Sequence, residues 1–482
     1  MAMRWYQQSS HGTKPPTSEN QRLAAVDTAT TEKARRSVSV RNPRRRRRPA
    51  LVAPRATTPI VTAIATSASR AVKRDICSTD KATEPTATGG PTPRRSPRWS
   101  TRLWGRRGWR GRKHSMPRRA VITGWGRCVP PVTLSNADLE RLADTDDEWI
   151  VQRTGIRNRR LSHVEATDLA ELAARRALAC AGMEASDLDL IVVATCTPEL
   201  LCPSTAATVQ DRIGAIGSAA FDLNAACSGF VYGTSVVAGL IQAGFAEKVL
   251  LIGAEKLHFA MDYRDRSTSI LFGDGAGAAV FEPSEDGAGV LAVDLGADGG
   301  KGSTMVIRSM GSQGEPGPTN DPETFRLHFE GQAVFKMAVQ SISASARRVL
   351  ELAGLTADDV DLVVPHQANA RIIESATRRL GIEADRVFMN IAELGNTAAA
   401  SIPMAISDAL DAGRVQPGDT IILTAFGGGV TWGSIALKWG DRTEPVGIHV
   451  GELPDTDMTV FDLLRENLDF YAPLHVDEPP IS

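Results

Sequence analysis

The sequence predicts a layered α/β protein built from two copies of one unit. Between residues 116 and 440, short β-branched runs alternate with amphipathic helical segments, the pattern of a sheet covered by helices. Residues 174–193 and 346–365 are identical at 11 of 20 positions without a gap, at an offset of 172. Two further strand-like runs, 249–254 and 420–425, repeat at an offset of 171. We therefore expect a duplicated fold of two α/β halves related by an approximate two-fold axis.

Composition narrows the class of protein. The chain has 482 residues, of which 42% are hydrophobic, so it can bury a large core and is not uniformly disordered. Its net charge of -1 hides a split: residues 1–115 hold 26 basic and 6 acidic side chains, and the remainder holds 29 and 50. A uniformly basic nucleic-acid binder is excluded.

The cysteines and the apolar runs favour a soluble protein in a reducing compartment. Six cysteines show no C-x-x-C spacing, which argues against a disulfide framework and against a zinc site. No stretch approaches the roughly 18 consecutive apolar residues that a membrane-spanning helix needs.

The first element along the chain is an extension, residues 1–115. It is rich in Arg, Pro, Ser and Thr and includes the five-arginine run 44–48, so we expect it to be disordered. Three interpretations remain open: an organelle (plastid) transit peptide, a nucleic-acid-binding arm, or a segment outside the native protein if translation begins at Met116. A strand-like run at 120–124 follows Met116 closely, so a complete domain begins there.

Two halves and a tail follow the extension. We place the N-terminal half at 116–285 and the C-terminal half at 286–440. In each half a helix ends at a glycine cap, Gly182 or Gly354, and a short loop leads into a buried strand. Residues 441–482 carry 10 acidic and 2 basic side chains. We expect an acidic tail without chemistry, in which 461–470 can form a short amphipathic helix.

Cys227 is the candidate nucleophile of the N-terminal half. The segment FDLNAACSG places it at the first turn of a helix-forming run, 229–243. The positive end of the helix and its free N–H groups favour a thiolate, so we expect a pKa below the ordinary value of about 8.5. Small neighbouring residues leave room for a substrate. The alternative is a buried structural cysteine, which is our interpretation of Cys128, Cys180 and Cys196.

His366 and Asn396 are candidate partners from the C-terminal half. His366 directly follows the strand 362–365, at the carboxyl end where open α/β sheets bind ligands. Adding the repeat offset of 172 to Cys227 gives residue 399, in a small-residue turn just after Asn396. Asn396 should therefore lie near the pseudo-symmetric counterpart of Cys227. The alternatives are a hydrogen-bonded core histidine and an asparagine that only caps a helix.

Two glycine clusters have different interpretations. GDGAGA at 273–278 superficially resembles a dinucleotide-binding loop, but it is not G-x-G-x-x-G between a strand and a helix, so it indicates close backbone packing. FGGG at 426–429 follows a strand, and its three glycines let the main chain approach a ligand and present N–H groups. That segment predicts an oxyanion hole, with a plain turn as the alternative.

Residues 116 to about 440 resemble the β-ketoacyl-acyl carrier protein synthase III family, the initiating condensing enzymes of dissociated fatty acid synthesis, which have a duplicated thiolase fold. The resemblance covers about two thirds of the chain. It rests on DTDDEWI at 144–150, RTGI at 153–156, AACSG at 225–229, the glycine cluster at 273, PHQAN at 365–369, GNT at 395–397 and FGGGVTWG at 426–433.

The resemblance implies a complete set of site residues. Cys227 would be the acylated nucleophile of a Cys-His-Asn triad with His366 and Asn396, and the main-chain N–H groups of Cys227 and Gly428 would form the oxyanion hole. Cys202 would close the acyl pocket of the partner subunit in a homodimer. The coenzyme A site would comprise Thr145, Trp149, Arg153, Arg266 and, along the pantetheine tunnel, Asn369. The basic patch for the carrier protein would comprise Lys336, Arg371, Arg378 and Arg379.

The implied reaction is a decarboxylative Claisen condensation. An acyl-CoA primer and malonyl-acyl carrier protein would give 3-oxoacyl-acyl carrier protein, CoA and CO2, with no metal and no cofactor besides the substrates. A histidine and an asparagine distinguish this site from that of elongating enzymes, which use two histidines. A thiolase needs a second cysteine near its C-terminus, and no cysteine follows residue 227.

The resemblance implies a cytoplasmic location, or the plastid if the extension is a transit peptide. The expected partners are acyl carrier protein and acyl-CoA, and we expect binding to neither membranes nor nucleic acid. Two alternatives remain: a secondary-metabolism ketosynthase or acyltransferase of the same fold, and a catalytically silent scaffold with a nucleic-acid-binding arm.

Overall fold

The computed structural model describes residues 118–308, 311 and 321–477. The expectations for the extension 1–115 and for Met116 lie outside the described residues. Within them, the predicted fold class is confirmed: two sheets and their helices form a duplicated α/β structure.

The strands are β1 (Arg119–Cys128), β2 (Val132–Ser135), β3 (Asn158–Leu161), β4 (Leu190–Ala194), β5 (Ala219–Leu223), β6 (Val249–Glu255), β7 (Gly275–Ser284), β8 (Gly289–Ala297), β9 (Met305–Val306), β10 (His328–Phe329), β11 (Leu362–Pro365), β12 (Thr420–Gly427) and β13 (Thr431–Lys438). The helices are α1 (Asn136–Glu140), α2 (Asp147–Thr154), α3 (Ala166–Ala181), α4 (Thr205–Arg212), α5 (Gly229–Ala243), α6 (Pro322–Phe325), α7 (Gly331–Ala353), α8 (Ala370–Leu380), α9 (Ile391–Leu394), α10 (Ser401–Asp411) and α11 (Val460–Tyr471).

The two main sheets have equivalent topology. The first has the order β1-β7-β6-β4-β5 and the second the order β8-β13-β12-β11. In each, one pair of neighbours is parallel (β6 with β4, β12 with β11), and the strand on the other side of β6 or β12 (β7 or β13) runs antiparallel to both of its neighbours. Two small sheets, β2–β3 and β9–β10, complete the set. The equivalence explains the sequence repeat.

The core consists of layers around the two sheets. Side chains of α5 and α10 share one buried cluster with strands of both sheets, so these two helices lie between them. Helices α3 and α4 cover the outer face of the first sheet, while α7 and α8 cover that of the second. Among the described residues, one helical stretch, Ala226–Ala243, is apolar and long enough to cross a membrane, but half of it is buried inside the protein, as is typical of a core helix.

Backbone conformation repeats at the predicted offset. Gly182 and Gly354 both end their helices in the left-handed region, at φ 65° and 70°. Ala226 and Ala398, also 172 apart, have φ of 47° and 45°, and they are the two non-glycine residues with positive φ in the described part of the chain. Each begins a 3₁₀ turn that leads directly into a central helix, α5 or α10. Strain of this kind is typical of functional sites.

The glycine cluster of β7 packs closely against the other half. A Cβ added to Gly277 would lie 2.6 Å from the Met404 nitrogen, and one added to Gly275 would lie 2.8 Å from the Met404 sulfur. No space for a dinucleotide exists there, and the prediction of close backbone packing is confirmed.

The expectation of a tail after residue 440 was wrong. Arg442 donates to the carbonyl oxygens of Thr123 and Ala181, at 2.6 and 3.0 Å, and the Val446 N–H donates to the Cys180 carbonyl at 2.9 Å. Farther along, α11 forms over nearly the predicted residues and packs on the domain. The acidic composition of the segment could not predict this packing, because a few buried side chains and main-chain hydrogen bonds hold the segment on the domain.

Candidate active site

Cys227 lies in the 3₁₀ turn Ala226–Ser228, between β5 and α5, and is 8% exposed. The end of β12 passes directly beside this turn: a Cβ added to Gly427 would lie 2.7 Å from the Cys227 nitrogen. A glycine is therefore required for the close approach. It brings the main chain at Gly428 beside Cys227, where the N–H groups of Gly428 and of Cys227 itself act to lower the pKa of the thiol. The predicted pair of N–H groups therefore lies on the cysteine side of the junction.

The expected low pKa of Cys227 is not found. Burial raises the pKa of the thiol to about 12, and the nearby Glu255 carboxylate acts in the same direction, while hydrogen bonds from the N–H groups of Cys227 and Gly428 act to lower it. The free enzyme therefore holds a protonated thiol at neutral pH. The sequence showed the helix terminus, but it showed neither the depth of burial nor the carboxylate.

Glu255 was not among the predicted site residues. It ends the apolar strand β6, is fully buried, and accepts hydrogen bonds from the Thr197 hydroxyl at 2.6 Å and the Cys196 N–H at 3.1 Å. Burial raises its pKa to about 7 in spite of these donors. Cys196, expected to be purely structural, has its thiol 3.4 Å from this carboxylate, near enough to Cys227 for the two to interact electrostatically. The sequence signal that could have identified Glu255 is an acidic residue at the end of an otherwise apolar, strand-like run.

His366 follows β11 as predicted and is almost fully buried. Its Nδ1 lies 2.7 Å from the Ser401 hydroxyl oxygen, which also accepts the Gln367 N–H at 3.3 Å. When the Ser401 hydroxyl donates its proton to Nδ1, the ring proton lies on Nε2, and this is the tautomer that can donate from Nε2 to a substrate. Burial lowers the pKa of His366 to about 3, so the ring is neutral. His366 is a hydrogen-bonded core histidine that in this tautomer presents an Nε2–H donor.

Asn396 is held by its main chain against the glycine-rich segment before β7. Its N–H donates to the Leu271 carbonyl at 2.9 Å, and its carbonyl accepts the Gly273 N–H at 3.0 Å. Its side-chain oxygen accepts the Ala398 N–H at 2.9 Å, a local bond of the capping type. The amide NH2 is then the end of the side chain that can donate to another molecule.

The turn after Asn396 brings the three predicted residues to one place. A Cβ added to Gly229, just after Cys227, would lie 3.2 Å from the Ala399 Cβ, so the two equivalent turns are in contact. Ser401, which begins α10 at the end of the second turn, binds His366. Cys227, His366 and Asn396 therefore surround the junction of the two halves.

A cavity of about 610 Å³ is lined by four of the five predicted coenzyme A residues, Trp149, Arg153, Arg266 and Asn369. The guanidinium groups of Arg153 and Arg266 lie 4.2 and 5.1 Å from the Trp149 ring, giving a cationic, aromatic entrance. Thr145 is not among the lining residues, and its hydroxyl is buried without a hydrogen-bond partner in the described part of the chain.

Asn369 also joins two elements of the cavity wall. Its side-chain oxygen caps α8 by accepting the Arg371 N–H, and its amide donates to the Arg153 carbonyl, both at 2.9 Å. The four predicted patch residues are all exposed on the packed pair α7 and α8, and none forms an ion pair within the described residues. They are Lys336, Arg371, Arg378 and Arg379. Arg371 also lines the cavity, so it lies at the boundary between patch and pocket.

Cys202 lies in an exposed loop before α4. The neighbouring Leu201 side chain is 96% exposed, and the thiol of Cys202 is exposed as well. It does not line the cavity of its own chain described above. Its predicted place in the pocket of a partner subunit stays a prediction.

Two duplicated halves, with equivalent turns meeting at their junction, define a thiolase-like fold. Comparison with known proteins identifies the family. The family model for the 3-oxoacyl-[acyl-carrier-protein (ACP)] synthase III C-terminal domain matches residues 350–439, and the model for 3-oxoacyl-[ACP] synthase III matches residues 221–299.

The relatives include β-ketoacyl-[acyl-carrier-protein] synthase III 2 of Vibrio cholerae, 44% identical over 350 residues, covering 73% of this chain and 96% of the relative. β-Ketoacyl-[acyl-carrier-protein] synthase III of Roseiflexus castenholzii is 47% identical over 325 residues, which cover 66% of this chain and 98% of the relative. The crystal structure of 3-oxoacyl-[acyl-carrier-protein] synthase III from Aquifex aeolicus VF5 matches with a TM-score of 0.63 and 44% identity, covering 66% of this chain and 100% of that one. The chain belongs to the β-ketoacyl-[acyl-carrier-protein] synthase III family of condensing enzymes.

Proposed function

We propose that this enzyme joins an acyl-CoA primer to malonyl-acyl carrier protein, giving 3-oxoacyl-acyl carrier protein, CoA and CO2, and thereby initiates fatty acid synthesis. The observation that carries the proposal is the contact between the turn of Cys227 and the turn after Asn396, whose last residue is followed by Ser401, the partner of His366. The N–H of Asn396 donates to the carbonyl of Leu271, which lines the cavity with the cationic, aromatic entrance.

Cys227 performs the first half-reaction. Its sulfur attacks the thioester carbonyl of acyl-CoA, the tetrahedral oxyanion accepts hydrogen bonds from the N–H groups of Cys227 and Gly428, and CoA leaves as its thiol with the proton from Cys227. Burial raises the pKa of this thiol, so its proton leaves the sulfur during the attack and ends on the CoA thiol. The same two N–H groups and the α5 terminus are the features that stabilise negative charge on the sulfur.

His366 and Asn396 perform the second half-reaction. The malonyl group loses CO2, and the resulting enolate oxygen accepts hydrogen bonds from His366 Nε2–H and the Asn396 amide. The enolate carbon then attacks the acyl thioester on Cys227, a carbon–carbon bond forms and the bond from the acyl carbon to sulfur breaks. The Cys227 sulfur leaves as a thiolate and takes up a proton from water, which restores the thiol. A neutral histidine suits this role, because its pKa of about 3 keeps it neutral across the physiological range.

The residues around the cavity suit coenzyme A and the acyl carrier protein, the two groups that carry the acyl and malonyl substrates. Arg153 and Arg266 face the phosphates of coenzyme A, and Trp149 offers a flat apolar face for its adenine ring. The exposed basic residues of α7 and α8 would hold the acidic carrier protein by surface charge. No cofactor other than the substrates takes part in these steps.

A homodimer is part of the proposal. Strand β5 is an edge strand of the first sheet and carries the partly exposed Phe221, with the exposed Ile216 just before it and Leu200 and Leu201 in the loop before α4. An apolar sheet edge of this kind favours pairing with a second copy. We place the enzyme in the cytoplasm, where coenzyme A thioesters and carrier protein are both available.

A purified-enzyme assay tests the proposal. Acetyl-, butyryl- and octanoyl-CoA are each supplied with malonyl-acyl carrier protein, and the 3-oxoacyl product is measured by mass spectrometry. We expect product with at least one primer and none when malonyl-acyl carrier protein is replaced by free malonate. Absence of 3-oxoacyl-acyl carrier protein with every primer would refute the proposed function.

A further inference from the structure

We propose that the C-terminal clamp, residues 459–475, holds the entrance of the acyl-CoA cavity in its binding conformation and so sets the affinity for acyl-CoA. This inference rests on the proposed function for the identity of the ligand. The clamp comprises α11, its cap Thr459 and the turn Ala472–His475. It begins about twenty residues after β13, the last strand of the duplicated fold.

The clamp binds the segment that leads to Arg266. The Asn467 amide donates to the carbonyl oxygens of His258 and Phe259, at 3.2 and 3.1 Å. Nε2 of His475 lies 3.0 and 2.8 Å from the two oxygens of the buried Asp262 carboxylate. Asp262 lies four residues before Arg266, so these contacts fix the path of the chain that places the Arg266 guanidinium over Trp149.

Aromatic packing connects the clamp to a second wall of the cavity. The rings of Phe470 and Phe325 have centroids 5.5 Å apart, and those of Phe325 and Phe259 are 5.9 Å apart. Phe325 ends α6, four residues before Phe329, which lines the cavity. The buried Leu464 of α11 belongs to the same hydrophobic cluster as Phe329 and Cys227.

A third contact reaches the wall formed by α2. The guanidinium of Arg141, the C-cap of α1, lies 4.0 Å from the centre of the Phe461 ring. Six residues later α2 begins, and it carries Trp149 and Arg153. The clamp therefore contacts each of the three segments whose ends form the cavity entrance.

Surface loops that must become ordered when a ligand binds reduce its affinity, because ordering costs conformational entropy. Contacts made by the clamp order these segments in the free enzyme. Weakening them should lower the affinity for acyl-CoA without changing the chemistry, because the hydrogen bonds that hold His366 and Asn396 are made with Ser401, Leu271 and Ala398, outside the clamp.

Single substitutions in the full-length protein test the clamp. We expect Asn467→Ala and Phe470→Ala to raise KM for acyl-CoA about tenfold while kcat and KM for malonyl-acyl carrier protein change less than about twofold, as expected when a binding entrance is loosened but the reacting groups are untouched. Arg465→Ala is the matched control, since its side chain is exposed on the same helix and pairs only with Asp462 in the described residues.

Hydrogen exchange of the same proteins gives a readout independent of activity. Amides of residues 257–266 and 321–327 should exchange faster in the two variants than in the unaltered enzyme. In Arg465→Ala their exchange rates should be the same as in the unaltered enzyme. Unchanged exchange together with an unchanged KM for acyl-CoA would overturn the proposal, as would a loss confined to kcat. If the unaltered enzyme transfers no acyl group, the proposed function fails, whereas the exchange experiment still decides whether the clamp orders the entrance.

Discussion

Removal of the Ser401 hydroxyl should impair decarboxylation selectively. Ser401 is the hydrogen-bond partner of His366 Nδ1, at 2.7 Å, within a site where both residues are buried. In Ser401→Ala this nitrogen loses its donor, and the tautomer that carries the proton on Nδ1 becomes populated. That tautomer has no Nε2–H to offer to the enolate.

The magnitude follows from the lost hydrogen bond. A buried polar group left without its partner costs about 1–3 kcal/mol, which corresponds to a rate reduction of roughly 5- to 150-fold when the loss is felt in the transition state. Acyl transfer to Cys227 uses the main-chain N–H groups instead, so its rate should change by less than about twofold on the same argument.

Two half-reactions are measured separately for this prediction. Release of labelled CO2 from malonyl-acyl carrier protein reports decarboxylation, and intact-mass analysis after mixing with acyl-CoA reports transfer to Cys227. Ser401→Thr keeps the hydroxyl and should retain decarboxylation. Equal losses in the two half-reactions, or normal decarboxylation by Ser401→Ala, would refute the assigned role of the hydroxyl.

Three further predictions concern the surroundings of the site. Glu255→Gln should speed alkylation of Cys227 by iodoacetamide above pH 7 but not below pH 6. Glu255, with its pKa of about 7, becomes charged as pH rises, and its negative charge disfavours the Cys227 thiolate. Identical pH profiles of the variant and the unaltered enzyme would contradict this. Arg379→Glu should raise KM for malonyl-acyl carrier protein, less so at high salt, and leave acyl-CoA transfer unchanged; an equal effect on both substrates would place Arg379 elsewhere. Cys202→Phe should shift primer preference toward acetyl-CoA, since each methylene that no longer fits forfeits up to about 0.8 kcal/mol; unchanged chain-length profiles would remove Cys202 from the pocket.

The sequence was sufficient for features that repeat or that depend on neighbours along the chain. The offset of 172 located Ala399 as the counterpart of Cys227, and the structure has equivalent 3₁₀ turns at both positions. The run 229–243 became α5 with the predicted bounds, and His366 lies at the end of β11 as expected. Local patterns are enough for these features, since they fix where an element begins and ends.

Features that depend on contacts between distant segments could not be predicted. The pKa of Cys227 is determined by its depth of burial and by Glu255, which β6 brings from another part of the chain. Nothing in the local sequence distinguishes Ser401 from the other residues of α10, and only the fold brings it into contact with His366. The acidic composition of 441–482 likewise gave no sign that Asn467 would bind main-chain carbonyls near the cavity.

Covalent acylation of Cys227 tests the central claim most directly. The full-length enzyme is mixed with acetyl-, butyryl- or octanoyl-CoA without malonyl-acyl carrier protein, and its intact mass is measured before the modified peptide is sequenced. We predict a single acyl group on Cys227 with at least one primer and none in Cys227→Ala, in which His366 and Asn396 still support release of CO2 from malonyl-acyl carrier protein. An enzyme that remains unmodified by all three primers, or one acylated at Cys196 instead, would contradict the account.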